Sequence, residues 1–504
     1  MDYHTPHSFL AHNCIVISMF LVVAAILAAF CILYLARARN AGHRLPLPPG
    51  PPGDWDITSL SSFTSLQTLE SLVEEYGPVF TLRSGSKVAV IIGRRQAAVD
   101  IMEKEGAALT DRPRWTAASE MVSGGMRLLL LQSGERLRKF RKALHTHLQA
   151  KAAKDYEPLQ MHYAANLVRN IAGNPTKHMD YAKEYAASFI LSLAYGRTGF
   201  VAVNEPEIVA IGRSLKRVGS AVRPGAYMVD EYPFLRYLPF YRRELRSWHD
   251  EELSLYRKQI AGVEDNMDTV QPCFAKYLLE NQAKLRLNHD ELAYLAGTMF
   301  GAGSTTTASA ISVVIMAAAC FPQTQTWVQE ELDTVVGRKR VPTFDDYVDL
   351  PRVLAFVLES YRRRPVGGSG FAHRASRDII WRNYCIPKDA MVIGDHWSIC
   401  RDPSVFANPE VFDPTRWFND DGSLRSDALL FNFGFGRRIC PGRHVADRSL
   451  FITTALLLWA FRISEDDKAP IDQRRFRGEG ISITPEAFEV CFERRVEKMD
   501  ELLE

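Results

Sequence analysis

The chain has 504 residues, and its 61 Lys and Arg against 59 Asp and Glu give a formal net charge of +2. Its 47% apolar and 24% charged residues are an ordinary globular balance, which excludes a disordered tail protein, a collagen-like chain and a highly basic nucleic-acid binder. Eight cysteines are scattered without a C-x-x-C pair, which argues against a disulfide scaffold, a zinc ribbon and an iron–sulfur carrier.

The first predicted element is a transmembrane anchor at residues 14–36, which carry no charge, proline or glycine. A helix of these 23 residues spans roughly 30 Å, the thickness of a bilayer core. A cleaved signal peptide is the alternative, but the run is longer than a usual signal core and no A-x-A cleavage site follows it. Because three arginines lie between residues 37 and 44, the positive-inside rule makes residues 1–13 a lumenal tail and puts the rest of the chain in the cytosol.

Residues 37–53 are predicted to form a basic, proline-rich hinge, since five prolines between Leu45 and Gly53 exclude helix and sheet. No flexible linker follows, so residues 54–504 are expected to be one domain, mainly α with small β-sheets (an α+β fold). Apolar residues spaced by three and four predict helices, and short extended runs predict strands. The helices cover 66–75, 157–172, 183–195 and 250–262, and the strands cover 79–82, 88–92 and 390–394.

A second uncharged stretch covers residues 292–329. Its middle, 301–309, contains five hydroxyl side chains and two glycines where a membrane helix would place its most apolar residues. A long helix buried in the centre of the domain explains this composition better than a second membrane span, which stays open as the alternative.

Near the C-terminus, residues 433–442 read FGFGRRICPG. The glycines allow a tight turn, and Pro441 suits the start of a helix, whose apolar spacing is evident from Arg443 onward. Cys440 therefore lies at a helix N-terminus close to Arg437 and Arg438, and both features favour its thiolate. Such a thiolate is a nucleophile or a metal ligand, and an inert buried cysteine is the alternative.

The spacing of Phe433, Gly436, Arg438, Cys440 and Gly442 resembles F-x-x-G-x-R-x-C-x-G, the haem-binding loop of the cytochrome P450 superfamily. The resemblance implies the cytochrome P450 fold and a haem b cofactor. It also implies that Cys440 is the axial ligand of the haem iron, where a thiolate favours O–O cleavage. In the same way it implies that Phe433 shields the sulfur.

Other segments resemble motifs of the same family in the same order. Glu359 and Arg362 match E-x-x-R, and residues 412–417 resemble the P-E-R-F motif with Thr415 and Trp417 as replacements. The resemblance implies that Arg416 joins Glu359 and Arg362 in a buried structural network behind the haem.

Two further positions are implied to hold the haem propionates. Residues 134–141 resemble the helix with W-x-x-x-R, in which Leu137 replaces the tryptophan and Arg141 keeps the arginine. His373 matches the second propionate-binding position, where a cation beside a carboxylate is favourable.

Residues 302–307, AGSTTT, resemble A-G-x-[D/E]-T-[T/S], the oxygen-activation motif. Ala302, Gly303, Thr305 and Thr306 are therefore the candidate catalytic residues. The Thr306 hydroxyl is expected to bond the Ala302 carbonyl and loosen the helix, which opens a groove for O₂. Thr305 replaces the acid of the family, so protons must arrive through a hydroxyl or water chain. We expect slower or more uncoupled turnover, or chemistry that needs fewer protons.

The resemblance is strongest to membrane-anchored fungal enzymes of secondary metabolism. It implies a monooxygenase in the endoplasmic reticulum membrane that oxidises a bulky apolar molecule (a terpenoid, alkaloid or polyketide). Its electrons would come from NADPH through a flavin-containing reductase, with cytochrome b5 as an optional second donor. A haem-thiolate isomerase, a desaturase or cyclase and a peroxide-dependent enzyme are the alternatives that Thr305 suggests. A membrane receptor or transporter with two spans and no catalysis is an alternative of a different class.

Two further segments predict a substrate site and a docking face, and each has a structural alternative. The glycines of residues 366–370 predict a roomy substrate site, unless they only shape the backbone. The basic residues of 136–142 predict a docking face for an acidic reductase domain, unless they are only a solvated helix face.

Overall fold

The computed structural model describes residues 45–55, 63–85, 87–425, 431–479 and 482–504. The predicted lumenal tail, the anchor at 14–36 and the first part of the hinge lie outside the described residues. The rest of the hinge is bound to the body: the carbonyl oxygens of Pro46 and Pro49 accept hydrogen bonds from the backbone N–H groups of Cys385 and Thr81, each at 2.8 Å. This part of the hinge is therefore fixed to two strands.

The described residues form a mainly helical body, as predicted. The helices are α1 (Phe63–Tyr76), α2 (Arg95–Ala98), α3 (Glu135–Leu148), α4 (Ala150–Asp155), α5 (Glu157–Gly173), α6 (His178–Tyr195), α7 (Pro206–Ala221), α8 (Pro239–Glu264), α9 (Phe274–Glu280), α10 (Gln282–Leu285), α11 (His289–Cys320), α12 (Pro322–Val335), α13 (Pro351–Arg363), α14 (His396–Ile399), α15 (Arg443–Ala460) and α16 (Met499–Leu502). Short π-helical turns at Val99–Glu103 and Thr116–Val122 connect the first of these.

Small sheets lie at the edges of the helical body. The strands are β1 (Val79–Ser84), β2 (Lys87–Ile92), β3 (His373–Arg374), β4 (Ile379–Trp381), β5 (Tyr384–Ile386), β6 (Met391–Gly394), β7 (Phe461–Glu465), β8 (Phe476–Glu479), β9 (Ser482–Pro485) and β10 (Val490–Arg494). One sheet has the order β1-β2-β6-β3, in which β2 and β6 are parallel, and three two-stranded sheets pair β4 with β5, β7 with β10 and β8 with β9. The predicted α+β class is correct.

Helix α11 is the centre of the body. It begins with a capping box in which Asn288 and Glu291 satisfy each other's backbone N–H groups. Among the described residues it is the one helix long and apolar enough to cross a membrane, yet most of it is buried inside the body. It packs against α6, α8, β9 and α15. The structure therefore supports the core-helix interpretation for residues 292–320, whereas residues 322–329 begin the separate helix α12.

Candidate active site

The loop that carries Cys440 is held in a tight turn before α15. The Cys440 N–H donates to the Phe433 carbonyl oxygen at 2.8 Å. Gly436 has a φ of +48°, and a Cβ there would lie 3.1 Å from the Met102 carbonyl oxygen, so only glycine fits this position without strain. The Gly436 N–H also donates to the Glu103 carboxylate at 2.9 Å. These contacts fix the sulfur at the start of α15, as the motif predicts.

The electrostatic surroundings of Cys440 differ from the prediction. Burial raises the pKa of the Cys440 thiol, whereas the Gly442 N–H and the cations Arg141 and Arg443 lower it. Arg437 is exposed. The side chain of Arg438 donates to the backbone carbonyl oxygens of Thr110, Leu128 and Leu131. The cations that favour the thiolate are therefore Arg141 and Arg443, and not the two arginines that precede the cysteine.

Three buried or half-buried arginines and a histidine lie around this loop. Arg141 donates to the Ile439 carbonyl oxygen at 3.2 Å, and Arg112 donates to the Ala372 carbonyl oxygen at 2.8 Å. His373 lies 2.6 Å from the Leu109 carbonyl oxygen. In the part of the chain that the structure describes, none of Arg112, Arg141 and Arg438 forms an ion pair.

The positive charges of this cluster repel one another, and only Arg438 is stabilised in return, by the carboxylate of Asp111, among the electrostatic effects on the three arginines that come from carboxylates of the described residues. Burial lowers the pKa of Arg112, and the neighbouring Arg438 and Arg141 lower it further. Burial and Arg141 lower the pKa of Arg438 to about 10. Burial together with Arg112 lowers the pKa of His373. Because buried charges need counter-ions, the cluster fits a ligand with carboxylates, as the two haem propionates would be.

Arg112 is the site residue that the sequence analysis missed. Its guanidinium lies 4.8 Å from the centre of the Phe371 ring and contacts the carbonyl oxygens of Leu129, Phe371 and Ala372. These carbonyl groups are distant in sequence and meet only in the folded chain. No motif or spacing around residue 112 predicts that it belongs to the site.

Helix α11 presents a polar stripe at its centre. Ala302, Gly303, Thr305, Thr306 and Thr307 retain accessible surface, whereas most of the rest of the helix is buried. The Thr306 hydroxyl donates to the Ala302 carbonyl oxygen at 2.7 Å, as predicted. The Ser309 hydroxyl donates to the Thr305 carbonyl oxygen at 3.0 Å and also contacts the Thr484 hydroxyl. The Thr306 and Ser309 hydroxyls thus each bond a backbone carbonyl of α11, and Ser309 and Thr484 are the pair of hydroxyls that meet in the core.

Gly303 contributes to this helix by packing. A Cβ at Gly303 would lie 2.6 Å from the Ile190 side chain, so the glycine allows α11 to approach α6 closely. In the predicted catalytic motif, Ala302, Thr305 and Thr306 therefore form the accessible stripe, whereas Gly303 allows the close packing of α11 on α6.

Glu359, Arg362 and Arg416 form the predicted network. Glu359 and Arg362 are fully buried and joined by two hydrogen bonds of 2.8 Å. Arg416 donates to Glu359 at 3.3 Å, and Trp417, which replaces the family's phenylalanine, donates its indole N–H at 3.0 Å. Asp413 completes the set through its backbone N–H at 2.8 Å.

Steric clashes explain why two positions within residues 366–370 are glycine. Gly370 has a φ of +69°, and a Cβ there would collide with the Gly394 carbonyl oxygen. A Cβ at Gly368 would lie 2.8 Å from the Leu66 side chain. At these two positions the structure supports the alternative that glycine shapes the backbone.

The predicted basic face is smaller than the sequence indicates. Arg136 and Lys139 both pair with Glu291 at 2.9 Å, and Arg141 points into the Cys440 loop. Arg138 and Lys142, one helical turn apart, are the exposed cations of this helix that have no ion-pair partner among the described residues.

Comparison with known proteins identifies the family to which the chain belongs. Residues 48–492 match the family model for Cytochrome P450. Cytochrome P450 monooxygenase 64 of Postia placenta is 47% identical over 491 residues, which are 96% of this chain and 99% of the relative. Cytochrome P450 monooxygenase 88 of the same fungus is 48% identical over 492 residues, with the same two coverages. A cytochrome P450 monooxygenase of Armillaria gallica is 31% identical over 478 residues, 91% of this chain and 92% of the relative.

Proposed function

The chain belongs to the cytochrome P450 family and is a monooxygenase, and we propose that it oxidises a bulky apolar molecule of fungal secondary metabolism at a haem bound by Cys440. The observation that carries the proposed site is the cluster of Arg112, Arg141 and Arg438, which forms no ion pair among the described residues and reaches the Cys440 loop through the hydrogen bond from Arg141 to the Ile439 carbonyl oxygen. A terpenoid, alkaloid or polyketide skeleton is the substrate class that we infer. We also propose residues 54–504 as the catalytic domain.

In this proposal the cysteine, the cations and the threonine of the site have separate roles. When bound, haem supplies the activation of O₂, and the Cys440 thiolate would hold its iron. Arg112, Arg141, Arg438 and His373 would hold the propionates by charge and hydrogen bonds. The Thr306 hydroxyl, which bonds the Ala302 carbonyl oxygen, would loosen α11 at this point and let water bind there and pass protons.

Two measurements test this function. The reduced protein with CO should show a Soret band typical of thiolate ligation, and product formation should require NADPH, a cytochrome P450 reductase and O₂. Metabolite feeding of an expressing host would then identify the substrate. Turnover without NADPH and O₂ would instead favour a haem-thiolate isomerase or a peroxide-dependent enzyme, the second candidate that Thr305 suggests. Formation of a double bond or ring with NADPH would favour a desaturase or cyclase.

Replacing Thr305 with aspartate should improve coupling. The substitution would supply a carboxyl group beside Thr306, and a positioned general acid typically contributes 10²- to 10⁴-fold, part of which the hydroxyl and water chain already provides. We expect product formation to rise about tenfold, with less hydrogen peroxide released per NADPH. Thr305→Asn is the matched control, because asparagine has the size of aspartate but no acidic proton. Equal rates and peroxide release in the wild type and Thr305→Asp would contradict a limiting proton supply.

We propose that Arg138, Lys142 and Arg437 form the docking face for the reductase. Arg141 links α3 to the Cys440 loop through Ile439, so this face lies beside the loop that would bind the haem. Reversal of Arg138 and Lys142 to glutamate should slow reduction by the reductase about tenfold at low salt, since steering between charged surfaces dominates association. Haem content should not change.

The matched control for this reversal changes Lys216 and Arg223 to glutamate, which alters the same number of exposed charges on and just after α7. The rate of reduction by the reductase, measured over a range of salt concentrations, should be unchanged in this control. Equal losses in both variants would point to net charge rather than to a docking face.

A membrane location in the endoplasmic reticulum, with a single N-terminal anchor, is part of the proposal. An apolar patch supports it: Met228, Tyr232, Phe234, Tyr237 and Leu238 are exposed, Phe234 by 64% and Tyr237 by 70%. This patch is next to the start of the domain, because Glu231 pairs with Lys87 of the β1–β2 hairpin, and Gly85 of the same hairpin donates to Asp54 at 3.0 Å. The anchor and the patch would thus meet one lipid surface, and membrane fractionation of the full chain tests the location.

A further inference from the structure

A tyrosine and an aspartate meet behind the Cys440 loop. Tyr361, which is 7% exposed, lies on α13, and its hydroxyl is 3.4 Å from the Oδ1 atom of Asp447 on α15. The ring of Tyr361 packs edge-on against Phe433 with ring centres 5.5 Å apart. The Phe433 carbonyl oxygen accepts the N–H of Cys440 at 2.8 Å. One aromatic ring therefore separates this pair from the segment that carries the sulfur.

Asp447 is close to the Cys440 segment, because Tyr361 contacts both Asp447 and Phe433. Burial raises the pKa of Asp447 to about 7, while the Tyr361 hydroxyl and Arg443 act in the opposite direction. Asp447 in turn raises the pKa of Cys440, and it raises the pKa of Tyr347 beyond the effect of burial. The titratable and charged groups that interact with Asp447 are thus Tyr361, by contact, and Tyr347, Arg443 and Cys440, by charge. No ion pair neutralises Asp447 among the described residues.

We propose that Asp447, positioned by Tyr361, sets the electron donation of the Cys440 thiolate and thereby the reduction potential of the bound haem. A carboxylate near the thiolate disfavours an added electron at the iron, because charges interact strongly in a poorly screened interior. Groups behind a metal ligand commonly tune the metal in this way. The inference rests on the proposed role of Cys440 as the iron ligand.

The experiment is a redox titration of the holoenzyme from about pH 6 to about pH 8, the range around the aspartate's titration. The wild-type potential should fall as the pH rises through this range and Asp447 ionises. In Asp447→Asn the reduction potential should not fall with pH, and it should stay at the more positive value that the wild type has at the acidic end. At the alkaline end its equilibrium constant for reduction should be up to about tenfold higher, which corresponds to 59 mV for one electron.

Tyr361→Phe is a second, milder variant that keeps the ring and removes only the hydroxyl. Because this hydroxyl lowers the pKa of Asp447, its loss should move the pH step of the potential to higher pH. Asp155→Asn is the matched control, since it neutralises an exposed aspartate on α4 and should leave the potential and its pH dependence unchanged.

The outcomes separate this inference from the proposed function. An Asp447→Asn enzyme with the wild-type potential and pH step overturns the role of Asp447. If Asp447→Asn does not take up haem, Tyr361→Phe is the deciding variant. A reduction potential that changes at the same pH as in the wild type would then overturn the proposal. A wild-type protein whose reduced CO complex lacks the thiolate-type Soret band overturns the ligand role of Cys440 instead.

Discussion

Replacing Cys440 with serine is expected to abolish both the thiolate-type Soret band of the reduced CO complex and NADPH-dependent product formation. A serine hydroxyl stays protonated at neutral pH and donates far less electron density to iron than a thiolate does. The fold should survive, because Cys440 takes part in no ion pair among the described residues and the substitution changes one atom. We expect the free energy of unfolding of the haem-free chain to change by less than about 1 kcal/mol.

The control for this prediction is Cys491→Ser, the same substitution at an exposed cysteine on β10. It should keep the wild-type spectrum and rate. Spectra of the reduced CO complexes, haem content and product formation are measured on all three proteins. If Cys440→Ser retained the thiolate-type band, another cysteine would be the ligand, and the loop geometry described above would have a structural purpose only.

The sequence predicted those parts of the structure that depend on local pattern. The helix at 157–172 was placed within one residue of α5, Glu157–Gly173, because its apolar residues recur on one face. The helix at 250–262 is the second half of α8, Pro239–Glu264. The first half of α8 was missed because polar and charged residues outnumber apolar ones there and leave little periodicity.

The loop around Cys440 and the Glu359–Arg362 pair were also predictable, since their residues are close in sequence and their spacing is specific. What the sequence could not supply was pairing across long distances. Arg136 and Lys139 look like free cations until folding brings Glu291 to them, and Arg112 looks unremarkable until three carbonyl groups surround it. Gly303 resembles a catalytic position, and only the packing of α11 on α6 reveals its contact with Ile190.

Replacing Glu359 with glutamine is expected to destabilise the domain by about 3 to 5 kcal/mol, because it leaves Arg362 buried without its counter-charge. This is a large share of the 5–15 kcal/mol that typically holds a domain folded, so haem content should fall as well. The matched control is Glu501→Gln, since Glu501 and Lys498 form an ion pair with the same spacing of three residues on the exposed C-terminal turn. That variant should unfold like the wild type.

Urea unfolding followed by circular dichroism compares the two variants, and equal unfolding curves would contradict a structural role of the network. The reason for the expected difference is the number of groups that depend on one carboxylate. Glu359 accepts hydrogen bonds from Arg362, Arg416, Trp417 and the backbone of Asp413, and Arg362 also donates to the carbonyl oxygens of Cys400 and Val411. A single neutral amide cannot satisfy this set, because its NH₂ group presents donors to other donors. The loss therefore extends beyond one ion pair to the segment from Cys400 to Trp417 that follows α14.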